Sequence, residues 1–284
     1  VSWLGPWHLE TFMGVMESDR YVSNALLWGI RLTFRPLHKL EVGFSRTAQW
    51  GGEGRPQDLH TFGNLLLGKD NSRNQNNIDE PGNQLASIDW RLGGRLFNDA
   101  DVAFYGQLVG EDESNFAPSR FIALFGADTA LTGPNSHHRF YLEYIDTTTE
   151  SIKGDGSASP NVAYEHKLYK SGYRFRNRAI GAATDNDSRM LTFAHDLFLG
   201  DDQQISWSVS KLSLNRDGTD LPAPGGNTLS YVINSNFWLA DARYSVLLDP
   251  WRLTFGLYYQ TEELTYAQES INQNGAYMAW EARW

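Results

Sequence analysis

Within an otherwise acidic chain, one stretch gathers most of the side chains that could recognise a ligand: Tyr164, His166, Lys167, Tyr169, Lys170, Tyr173, Arg174, Arg176 and Arg178. Aromatic rings stack on the apolar faces of sugars, and arginine forks bind carboxylates through charge-assisted pairs. Together they suit a polymer of acidic sugars. The same residues also suit a purely structural role, in which the arginines fold inward and pair with Glu41, Asp89 or Glu143. A second candidate lies at Trp50 and Arg55, where a long connector begins. Pro56 fits the first turn of a short helix within 56–69, and such a helix would cap the fold with Trp50 and Arg55 at its rim or simply anchor the loop.

Other constellations are poorer. Asp185, Asn186 and Asp187 resemble the start of a calcium loop, but the remaining spaced ligands and the terminal glutamate are missing, so no metal ligand and no cofactor is assigned. Seven histidines form no H-E-x-x-H or comparable spacing, and His137 with His138 reads as a solvated turn. Without a catalytic set the chain is read as a binding protein and not an enzyme.

These side chains must be positioned by short segments that alternate apolar and polar residues. About twelve appear, near 7–18, 25–35, 39–50, 84–95, 101–112, 120–132, 138–149, 188–199, 204–216, 237–248, 252–263 and 275–284. Tight connectors at Arg35 to Lys39, Phe97 to Ala100, Gly133 to His137, Gly200 to Gln203 and Asp249 with Pro250 alternate with longer ones around 51–83, 111–119, 150–187, 217–236 and 264–274. Strands of about ten residues, with short turns at one end and long loops at the other, describe an antiparallel outer-membrane β-barrel. Because side chains alternate across a strand, Trp28, Ile30, Leu32 and Phe34 share one face, opposite Arg31 and Thr33. Likewise Leu40, Val42 and Phe44 oppose Glu41, and Ile88, Trp90 and Leu92 oppose Asp89 and Arg91.

Composition fits this reading. No run reaches the roughly 18 to 20 apolar residues of a membrane helix, as expected when only alternate strand residues meet lipid. Ten tryptophans, thirteen tyrosines and fifteen phenylalanines suit aromatic girdles at two membrane interfaces. A net charge of −10 argues against nucleic acid as the main partner. The absence of cysteine excludes disulfides and thiolate chemistry and suits passage through an oxidising periplasm. The start at Val1, without basic or apolar leader regions, reads as a mature form or a fragment. Periodicity alone would also fit a soluble β-sandwich; connector rhythm, strand length and the final aromatic Trp284 favour the membrane.

Four runs resemble the Wzi family of outer-membrane capsule assembly proteins: Arg31 to Pro56 (RLTFRPLHKLEVGFSRTAQWGGEGRP), Gly82 to Trp90 (GNQLASIDW), Tyr105 to Ser114 (YGQLVGEDES) and Ser171 to Ser188 (SGYRFRNRAIGAATDNDS). The resemblance implies a non-enzymatic, lectin-like barrel with an occluded lumen that holds capsular polysaccharide at the cell surface. It also implies that the twelve segments, read as a single β-barrel domain over 1–284, form the C-terminal part of an 18-stranded barrel with short helices in its loops. Long loops are then extracellular and the termini periplasmic. The expected partners are acidic capsular polysaccharide, outer-membrane lipid and lipopolysaccharide, with the protein a monomer. A sugar- or anion-conducting porin is the alternative.

Overall fold

The computed structural model describes residues 5–67, 82–97, 100–114, 117–149, 160–176, 178–218, 234–266, 269–271 and 273–282. In chain order the strands are β1 (Trp7–Val15), β2 (Leu26–Leu37), β3 (Leu40–Trp50), β4 (Gly82–Phe97), β5 (Ala100–Ser114), β6 (Ala117–Thr132) and β7 (Ser136–Asp146). There follow a short pair, β8 (Arg174–Phe175) and β9 (Arg178–Ala179), then β10 (Arg189–Leu199), β11 (Gln203–Leu214), β12 (Ser235–Leu248), β13 (Trp251–Gln260), a second short pair, β14 (Leu264–Tyr266) and β15 (Glu269–Ile271), and finally β16 (Asn274–Ala282). One helix, α1 (Leu59–Leu66), stands between β3 and β4.

All twelve segments expected from alternation are strands of one sheet, ordered β1-β2-β3-β4-β5-β6-β7-β10-β11-β12-β13-β16. Each ladder is antiparallel, as turns between chain neighbours require. One expected connector is corrected: the stretch around 111–119 is not a long loop, because β5 and β6 continue pairing to Ser114 and Ala117. The short pairs β8-β9 and β14-β15 lie inside connectors that alternation cannot resolve, since neither spans more than three residues.

Register carries the two faces from strand to strand. Leu32 pairs with Phe44, Phe44 with Ile88 and Leu92 with Phe104, while Arg31 pairs with Ser45 and Gly43 with Asp89. The apolar face is open: Phe44, Leu92, Phe104 and Phe125 are each about half exposed, the pattern of side chains that meet lipid. On the polar face, charges pair across strands. Arg31 makes two bonds to Asp89, Nη1 to Oδ2 at 2.6 Å and Nη2 to Oδ1 at 2.8 Å. Between them lies Gly43, where a Cβ would stand 2.5 Å from Asp89 Oδ2. Arg91 makes a similar fork to Asp128, Arg35 reaches Glu41 at 2.8 Å, and Tyr105 Oη donates to Glu143 Oε2 at 3.1 Å. Glu41, Asp89 and Glu143 are thus met by groups on other strands of the sheet, not by arginines of the long loop.

Tyr105 holds Glu143 only because Gly126 lies between them. A Cβ there would come within 2.2 Å of the Tyr105 ring. Gly126→Ala is therefore expected to cost about 1–3 kcal/mol by overpacking, seen as a lower unfolding temperature for the folded, gel-shifted form.

Candidate functional site

The long loop folds back over the polar face and packs there. It is a hydrophobic seat that the strands prepare: away from the short turns the otherwise polar face turns apolar, so Leu85 and Ile122 are buried against Ala163, Tyr164 and Tyr173, with Leu27 and Val109 beside them. Burying a tyrosine requires a partner for its hydroxyl, and each finds one. Tyr173 Oη donates to Asn83 O at 2.8 Å, Tyr169 Oη to Gly51 O at 3.1 Å, and Tyr164 Oη accepts from Ala182 N at 2.9 Å. The turn that brings these rings together needs Gly172, whose φ of +64 and Cβ position 2.0 Å from Tyr164 O exclude other residues. Its carbonyl accepts from Gln49 Nε2 at 2.8 Å and from Arg20 Nη2 at 3.0 Å, which ties the loop to β3 and to the β1-β2 connector.

Arg174 is the ionic centre. Its side chain is 1% exposed and forks onto Asp185, Nε to Oδ2 at 3.0 Å and Nη2 to Oδ1 at 2.6 Å, while Nη2 also reaches Glu165 Oε1 at 2.6 Å. Burial alone would lower the guanidinium pKa, but the bonds to Asp185 and Glu165 hold it above its ordinary value. Burial pulls Arg20 below its ordinary value, against Glu17. Asp187 Oδ2 accepts from Asp217 N at 2.7 Å. The Asp-Asn-Asp run thus closes the loop on itself and on the β11-β12 connector, and among the described residues no group of three His, Asp or Glu could hold a metal ion.

His166 is a pH-sensitive pin. Its Nδ1 accepts from Leu168 N and Tyr169 N, both at 3.2 Å, and burial, helped by Lys167 and Arg55, pushes it down to about 4 from 6.5. A folded pKa below the unfolded one means that the unfolded chain takes up the proton first. The neutral ring's contribution is whole above pH 6.5 and is lost as pH falls toward 4, by at most about 3 kcal/mol. Exchange of the Leu168 and Tyr169 amides is expected to accelerate across that window; rates that stay flat would remove His166 from the loop's stability.

The residues expected to bind therefore separate. Tyr164, Tyr169, Tyr173 and Arg174 are buried, and so is Trp50, whose ring lies 5.0 Å from that of Phe62 on α1. His166 and Arg55 are partly covered, with the Arg55 guanidinium 5.6 Å from the Tyr169 ring. Lys167, Arg176 and Arg178 face solvent. Two exposed rings join them that sequence reading missed: Phe175, with the Arg176 guanidinium 5.4 Å from its centre, and Tyr21, with Lys170 Nζ at 4.7 Å. Tyr21 escaped notice because it lies about 150 residues away in the β1-β2 connector, where Ser171 Oγ accepts from its N–H at 2.8 Å. Beneath the loop a cavity of about 460 Å³ separates Tyr164 and Ile180 from Ser45, Ser87 and Gln107. The arrangement presents two cation-ring pairs, Arg176 with Phe175 and Lys170 with Tyr21, on a packed anchor.

The capsule assembly protein Wzi family model matches residues 1–273. A Klebsiella pneumoniae protein described as an uncharacterized 55.8 kDa protein in the cps region is 40% identical over 156 residues, which cover 52% of this chain and 29% of that one. Wzi of Escherichia coli, described as an outer membrane protein involved in group 1 capsule assembly and a carbohydrate-binding β-barrel, is 27% identical with a TM-score of 0.77, covering 98% of this chain and 56% of its own. The chain thus spans about half the length of that solved relative and under a third of the curated one.

Proposed function

The chain belongs to the capsule assembly protein Wzi family of outer-membrane β-barrels, and we propose that it holds an acidic capsular polysaccharide on the solvent face of the inward loop without chemically altering it. The single observation that carries this reading is the sorting of the loop: Arg174 is locked inside, while Lys167, Arg176 and Arg178 are exposed, Arg176 and Arg178 beside Phe175. Three exposed cations on one loop of a chain with net charge −10 reverse the local sign of charge, which an acidic polymer can meet. Uronic carboxylates meet the cations and sugar faces meet the rings. Each contact is weak, so retention comes from many repeats of one polymer meeting many proteins.

In this reading the long loops are extracellular, the loop is a plug that occludes the lumen, and the protein acts as a monomer set in outer-membrane lipid and lipopolysaccharide. Purified protein is expected to bind acidic capsular polymer in a salt-sensitive way and to lose most binding when the polymer's carboxylates are reduced to alcohols. Equal binding of the reduced polymer would overturn the assignment to acidic sugars. The plug also separates this reading from a porin: little conductance is expected in planar bilayers, and stable steps would contradict an occluded lumen.

A further inference from the structure

The sequence leaves helix α1 either to cap the mouth of the fold or to anchor its loop. Strand register places it on the apolar face. Along β3, Leu40, Val42 and Phe44 belong to the open apolar face, so Arg46, Ala48 and Trp50 do too; on β4 that face takes Gln84, paired with Ala48, and on β2 Trp28, likewise paired with Ala48. These are the residues α1 covers. Ala48, Trp50 and Leu65 are buried together with Leu26, Trp28 and Phe62 beside them, and the Phe62 ring meets Trp28 edge-on at 5.8 Å. Arg46 closes the other end: Nη1 donates to Leu66 O at 2.8 Å and Nη2 to Leu65 O at 2.7 Å, and the guanidinium also bonds Gln84 Oε1. Arg46 thereby satisfies carbonyls that the helix leaves open. Its contacts run from Trp50 to Arg46, about 13 Å along β3.

Only part of the helix's apolar arc is used against the strands. Phe62 and Leu65 face them, while Leu59 and Leu66 continue the arc beside them, 87% and 41% exposed, and Leu67 follows at 70%. The helix itself, LHTFGNLL, carries no Asp, Glu, Lys or Arg. Its start is fixed by Asp58, whose carboxylate accepts from Thr61 N at 2.9 Å. An uncharged helix with exposed leucines, lying on the same face as Phe44 and Ile88, extends the exposed apolar surface of that face toward the long-loop side.

We infer that α1 is a membrane-interface anchor: Leu59 and Leu66 insert into the acyl-chain layer of the leaflet on the long-loop side. This rests on the membrane placement of the family and not on polysaccharide binding. Its seat also explains why Trp50 is unavailable to a ligand.

The chain's lack of cysteine makes the test direct. Single-cysteine variants Leu59→Cys and Leu66→Cys, with Phe44→Cys as lipid-facing control and Glu53→Cys as water-facing control, are labelled with an environment-sensitive nitrobenzoxadiazole group in the membrane-inserted protein. Labels at 59 and 66 are expected to emit blue-shifted from the label at 53 and to be quenched, like the label at 44, by phospholipid carrying a spin label on its acyl chain. Water-like emission at both sites, or a blue shift that lipid-borne quencher leaves untouched, would overturn the inference; the second result would mean that protein, not lipid, covers the helix. Since Leu59 is almost fully exposed, its substitution leaves the packing of Phe62 and Leu65 in place, and the 44 control reports separately whether the sheet is in the bilayer.

Discussion

Arg174→Ala is expected to release the inward loop, with a loss of about 3–5 kcal/mol from its anchoring, because it strands buried carboxylates without their counter-charge. Asp185 is 2% exposed and Glu165 20%, so neither can recover full hydration while the loop stays in place. The readout is limited proteolysis: trypsin, which has no access to Arg174 in the folded loop, is expected to cut at Lys167, Lys170, Arg176 and Arg178 well before the strands yield. Arg174→Lys is expected to fall between, since one ammonium cannot reproduce the fork onto Asp185. Adding Asp185→Asn to Arg174→Ala should recover part of the loss by removing one unpaired charge. Unchanged protease resistance in Arg174→Ala would mean that the tyrosine seat holds the loop by itself.

The second large effect is on binding. Replacing Lys167, Arg176 and Arg178 together with alanine removes the exposed cations while leaving Arg174, Asp185 and the three tyrosines in place. Each exposed ion pair is worth about 0.2–1 kcal/mol, so the triple variant should bind a short acidic oligosaccharide roughly tenfold more weakly at low salt. Cell-surface retention of long polymer should fall much further, because avidity multiplies small losses. Resistance of the loop to chymotrypsin, whose aromatic sites the substitutions leave intact, should not change. That combination separates a recognition role from a structural one: lost retention with a loosened loop would speak for anchoring alone. Phe175→Ala should add to the loss if its ring stacks on sugar.

The wall was legible in the sequence because it is built from local alternation. Leu40 against Glu41 and Ile88 against Asp89 declare their faces within two residues, and β-period patterning carries them along each strand. Even so, ends were misplaced where loop residues continue the ladder, as at Ser114 and Ala117. The loop was not legible in the same way. Tyr173 and Arg174 are the residue types that would bind a carbohydrate, and they are equally the types that fill a buried polar seat; what decides between the roles is Asn83 O, Gln49 and Asp185, partners supplied by the fold. A clue was present all the same. Leu85, Val109, Ile122 and Ile145 are apolar on the face that is elsewhere polar, and all lie in the half of their strands away from the short turns. Likewise Arg46 and Gln84 are polar on the face that is elsewhere apolar, which marks where α1 docks. Breaks in alternation, more than the alternation itself, pointed to the two packed accessories.

The account rests on the polymer lying against the exposed side of the inward loop, and chemical footprinting reads that contact directly. Lysine and arginine modification, followed by mass spectrometry, is measured on the membrane-inserted protein with and without acidic capsular polysaccharide. Lys167, Arg176 and Arg178 are expected to be protected by polymer, while Arg35 and Arg95, exposed at the short-turn ends of β2 and β4, keep their reactivity. Protection of Arg35 and Arg95 with none at Lys167, Arg176 and Arg178 would contradict it.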